Sequence, residues 1–110
     1  MLSALGPWLV AFFFTQLFEM PVYWVATRSL RVGFFASAMT HPVVWFVFPV
    51  LMTWGVQYWP MVALAETFAV LAEAAWLRFN RVPRAFWWSL GANAFSTTCG
   101  FVLRELTGIV

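Results

Sequence analysis

Apolar runs long enough to cross a bilayer fill almost the whole of this chain, and no other feature leaves it so little freedom. They cover roughly residues 7–27, 33–53, 60–79 and 84–106, and each matches the roughly 20 mainly apolar residues that one crossing needs. Only short segments separate them: Arg28 to Val32, Trp54 to Trp59 and Asn80 to Pro83. Of the 110 residues, 64% are hydrophobic and 9% charged, against roughly 25% charged in soluble domains. A water-soluble fold could not hide that much apolar surface. The expected fold is all-α, an integral membrane four-helix bundle that takes up residues 1–110 as one transmembrane domain, with the lipid bilayer as its main partner. The first residues lack the basic start and cleavage site of a signal peptide, so the first run is expected to stay on as a helix.

The arginines orient the bundle. Arg28 and Arg31 lie in the first turn and Arg78, Arg81 and Arg84 around the third, while the second turn carries no charge. By the positive-inside rule the first and third turns are cytoplasmic, and both termini are then non-cytoplasmic. Trp8, Trp54 and Trp59 fall at the outer interface and Trp24, Trp76, Trp87 and Trp88 at the inner one, as aromatic belts require. Pro7, Pro60 and Pro83 sit at expected first turns, where a missing N–H costs nothing. The expected location is a bacterial or archaeal cytoplasmic membrane. There is no Lys and no Asp, and the arginines sit where membrane topology needs them, so the basic balance does not point to nucleic acid. Cys99 is alone, which excludes an internal disulfide.

A spacing recurs. Glu19, Arg28-x-x-Arg31 and His41 are echoed by Glu73, Arg81-x-x-Arg84 and Asn93, with intervals that differ by one residue at two places. A true duplication would give two parallel-repeat helical hairpins related by an axis along the membrane normal; the plain alternative is chance matching in an apolar background.

Counting about 1.5 Å per residue from the cytoplasmic ends puts Glu19, His41 and Asn93 at one height, with Glu73 slightly below and Glu66 slightly above. Glu66 and Glu73 are two turns apart and share a face, with Ala69 between them. On helix 1, Thr15, Gln16, Glu19 and Tyr23 form one stripe; on helix 4 a second stripe runs through Ser89, Asn93, Ser96 or Thr97, Gly100 and Arg104. Charge at the bilayer centre costs about 2.5–3.5 kcal/mol even on a lenient scale, so these side chains should face the bundle interior. With no Arg at mid-depth, the carboxyls are expected to be protonated, to pair with His41 or to hold a cation, and Glu73 could instead meet an inner Arg. Pro21, Pro42 and Pro49 should free the carbonyls of Leu17, Ala38 and Trp45. Polar residues can also be simple helix glue, the favoured reading for Asn93, Ser96 and Thr97, and the small residues Ala92, Ser96 and Gly100 read as a close helix contact.

The chemistry this suggests first is cation handling, with transport as the expected function: Glu19, Glu66 and Glu73 as exchangeable carboxylates, His41 able to titrate near neutrality and Asn93 orienting them, supported by Gln16, Tyr23, Ser96 and Thr97. A proton, a metal ion or an organic cation would fit. Length, four spans and a lone Glu in helix 1 resemble the small multidrug resistance transporters, and that resemblance implies a dimer working around such a carboxylate. It is architectural: the family's sequence pattern is absent around Glu19, and His41, Glu66 and Glu73 depart from it. A second class is a metal-dependent intramembrane enzyme, with a divalent metal ion at His41, Glu19, Glu66 and Glu73, although no HExxH or related element is present. A third is an accessory subunit among other membrane subunits, with His41 as an axial haem or chlorophyll ligand.

Overall fold

The computed structural model describes residues 2–108, and every regular element among them is helical. Helix α1 spans Leu2–Thr27, α2 Leu30–Phe46, the single turn α3 Val50–Thr53, α4 Tyr58–Phe79 and α5 Ala85–Thr107. The four long helices form a ring in which α1 packs on α2 and α5, and α4 packs on the same two. Short connections make every neighbouring pair antiparallel. The long dimension is 38 Å, enough for a hydrocarbon layer of about 30 Å.

The turns explain the boundaries. Arg28 ends α1 in the left-handed conformation (φ 55°), and Ser29 then caps α2 by accepting from the Val32 amide at 3.2 Å, a usual role for serine at a helix start. Arg81 and Arg84 adopt the same left-handed conformation (φ 62° and 57°) in the turn before α5. Helix α1 begins earlier than expected, so Pro7 lies inside it, and the helices run on through Pro21 and Pro42. The break comes before Pro49. The Val47 and Phe48 amides both bond to the Val43 carbonyl, and the helix expected over 33–53 stops at Phe46, resuming only as α3.

Leu5–Thr27, Leu30–Thr53 and Tyr58–Phe79 are long and apolar enough to cross a membrane. Helix α5 is as long as these, but Ser89, Asn93, Ser96, Thr97 and Thr98 lower its hydropathy. Polarity is arranged inside out. Phe13, Leu17, Leu64, Leu71, Phe86, Trp87 and Phe95 are exposed, whereas Glu19, Ser37, Thr40, His41, Glu73, Ser89, Asn93 and Ser96 are buried. At the end bearing the two arginine turns, Tyr23, Ala36, Leu77, Val82 and Ala92 close the interior as an apolar plug. Gly33 lets α1 and α2 meet there: a Cβ at Gly33 would lie 3.0 Å from the Tyr23 Cβ.

Candidate functional site

Two carboxyl groups sit just above the plug. Glu19 and Glu73 are 2% and 1% exposed, and a buried carboxyl is tolerated only where its oxygens find donors. Ser37 of α2 donates to Glu19 Oε1 at 2.5 Å and Ser96 of α5 donates to its other oxygen. Glu73 accepts from Tyr23 Oη at 2.5 Å and Asn93 Nδ2 at 3.1 Å on Oε1, and from Thr40 Oγ1 at 2.6 Å on Oε2. The wiring is crossed: α2 supplies one donor to each acid from Ser37 and Thr40, and α5 does the same from Asn93 and Ser96. In both helices the two donors are three residues apart, which puts them on one face. Ser89 fixes α5 on α4 by donating to the Val70 carbonyl at 2.7 Å.

Above the two acids the ring of helices encloses a cavity of about 210 Å³. Helix α1 contributes Thr15 and Glu19, α2 Ser37, Thr40, His41 and Trp45, α4 Glu66, Ala69 and Glu73, and α5 Asn93, Ser96, Thr97, Gly100 and Arg104. The three glutamates of the spans therefore line one space, with Ala69 leaving room between two of them. Thr97 lies beside the Glu66 carboxyl. The cavity runs from the acids toward the α3 end, where Arg104 is exposed.

His41 lines this cavity without joining the acids. Trp8 Nε1 donates to its Nδ1 at 2.9 Å, and Thr15 Oγ1 lies 3.2 Å from Nε2. An indole N–H can only donate, so Nδ1 carries no proton, and in the neutral ring Nε2–H donates to Thr15. Phe12 and Trp45 pack against the imidazole. With Nδ1 engaged and Nε2 protonated, the ring offers no free lone pair to a haem or a metal. Among the described residues no three His, Cys or acidic side chains come together to hold a metal ion.

The expected residues are thus divided among different tasks. Glu19, Glu73, Asn93, Ser96 and Tyr23 form one hydrogen-bonded layer, and Glu66 and Thr97 stand above it. Glu19 and His41 do not bond to each other, and no arginine reaches Glu73, whose oxygens are met by Tyr23, Thr40 and Asn93. Gln16 turns away to donate to the Phe34 carbonyl at 3.2 Å. Gly100 is no tight contact, since a Cβ there would meet nothing within 4 Å. Ser37, Thr40 and Trp8 were missing from the expected site. The available signal was the three-residue spacing of Ser37 and Thr40, repeated by Asn93 and Ser96. No family model, curated protein or solved structure matches this chain.

Proposed function

We propose that the chain is a four-span, multi-pass membrane protein whose central cavity binds and passes a cation, and that the cation taken by the inner acid pair is a proton. The fourth span is supported by the outer face of α5, where Phe86, Trp87, Leu90, Phe95 and Val102 are exposed, while its polar stripe faces inward. The arginine turns are cytoplasmic by the positive-inside rule, so the cavity faces the opposite side. The left-handed residues Arg28 and Arg81, each just beyond a long helix, support reading the two hairpins as repeats.

The observation that carries the proton reading is the set of second acceptors around the acids. Thr40 Oγ1 has the Ala36 and Ser37 carbonyls at 3.4 and 3.3 Å, and Ser96 Oγ has the Asn93 carbonyl at 3.3 Å. A hydroxyl both donates and accepts. When a carboxylate here takes a proton, Thr40 or Ser96 can swing its hydrogen to a backbone carbonyl and accept the new acid O–H, so loading needs no helix movement. A metal ion would need the acids to give up these donors.

The test is collapse of an imposed pH gradient in liposomes holding a pH-sensitive dye, with potassium and valinomycin clamping the potential. Wild-type protein should dissipate the gradient, and Glu19→Gln and Glu73→Gln should not while still folding. Dissipation by wild type no faster than by protein-free liposomes would sink the proposal.

A further inference from the structure

The cavity has a side branch. Beside it, between the end of α2 and α4, lies an apolar groove of about 510 Å³ whose walls include Phe46, Pro49, Met61, Val62 and Ala65. Val44, Trp45, Glu66, Phe101 and Arg104 line both spaces, so these residues form the neck between them. The neck lies beside the segment where α2 stops short of Pro49. That break leaves the carbonyls of Val44, Trp45 and Phe46 without a backbone donor, and backbone acceptors away from water call for donors from elsewhere. The neck also carries an acid and a base, the Glu66 carboxyl and the Arg104 guanidinium, which are not paired with each other.

We infer that this neck and groove bind a phospholipid with a primary ammonium headgroup, taken from the surrounding bilayer. The ammonium supplies three N–H donors and a positive charge to Glu66 and the freed carbonyls. The phosphate meets Arg104, which lies in the last turn of α5, at the depth where headgroups lie. Guanidinium matches phosphate well. An acyl chain then follows the groove along Met61, Val62 and Ala65 into the lipid. A choline headgroup has the charge without the N–H donors, and a glycerol headgroup lacks the cation. The inference rests on the proposed function only in taking the chain to span a bilayer.

The experiment equilibrates purified protein with vesicles of equal phosphatidylethanolamine, phosphatidylcholine and phosphatidylglycerol of identical acyl chains, then counts retained lipids by native mass spectrometry. Wild type should retain the ethanolamine lipid over the choline lipid by about tenfold, the ratio expected for one charge-assisted hydrogen bond. Glu66→Gln should bring the retained lipids back toward the bulk ratio, whereas Arg104→Gln, which removes a contact to the phosphate that all three lipids share, should lower the retention of all of them, and Arg104→Lys should keep it. Retention at the bulk ratio by wild type, or an unchanged preference in Glu66→Gln, would overturn the inference. Proton flux measured in vesicles free of the ethanolamine lipid separates the two readings: flux without lipid preference removes only the lipid site, and preference without flux removes only the proton path.

Discussion

The two ends of the bundle are built from the same four helices and solve opposite problems. At the arginine-turn end, Gly33, Ala36 and Ala92 bring the helices together around Tyr23 and Leu77, and both carboxyls of the acid layer have donors on each oxygen. At the α3 end, α2 breaks, carbonyls lose their donors and the space between the helices stays hollow. Small residues and hydroxyls close one end, while a proline and large aromatic rings hold the other open. The contrast teaches that in this interior hydrogen-bond donors, more than apolar bulk, decide where the helices come together.

The largest effect should come from emptying the closed end. Glu73→Ala takes the acceptor from the buried Tyr23 hydroxyl and leaves a cavity, while Thr40 and Asn93 keep backbone acceptors; it should cost about 3 kcal/mol, since a buried orphan costs about 1–3 kcal/mol and the cavity adds to it. Glu66→Gln at the open end should change stability by no more than about 0.5 kcal/mol. Thermal unfolding in detergent compares them, and equal losses would break the contrast. Next are two glycines. Gly33→Ala forces α1 from α2 and should cost about 1–3 kcal/mol, whereas Gly100→Ala, with open space around it, should be neutral or stabilising by up to about 1 kcal/mol. The same sign at both sites would count against the tight and hollow assignments. The smallest effect is at His41. Trp8→Phe removes one hydrogen bond and should cost about 0.6 kcal/mol, the average measured between membrane helices. Nitrogen NMR of His41 should then show the ring losing its fixed Nε2–H form; an unchanged spectrum would mean that Trp8 does not hold it.

Much of the fold was legible because apolar run length and arginine placement are one-dimensional signals. The four long helices and their turns follow from them, and so does the inward stripe on α5. The site was legible in part. Counting residues put Glu19, His41 and Asn93 at one height, yet height says nothing about rotation about the helix axis, and His41 faces Trp8 and Thr15 while Glu19 faces Ser37 and Ser96. Ser37 and Thr40 escaped notice because hydroxyls are common in apolar helices and gain meaning only when an acid is found opposite. The position of the helix break escaped as well. Three prolines lie inside α1 and α2 without stopping either helix, so the residue type alone could not single out the segment before Pro49.

The crossed wiring of the acid layer reaches beyond the site itself. The first hairpin carries Glu19 with one of its donors, Ser37, and a donor for the other acid, Thr40; the second carries Glu73 with Asn93, and Ser96 for Glu19. Separated at Gly55, each half would hold an acid with an incomplete set of donors and a spare hydroxyl with no acid to serve. Such halves are complementary fragments, each lacking what the other presents, and two genes encoding them would have to be expressed together for either product to persist.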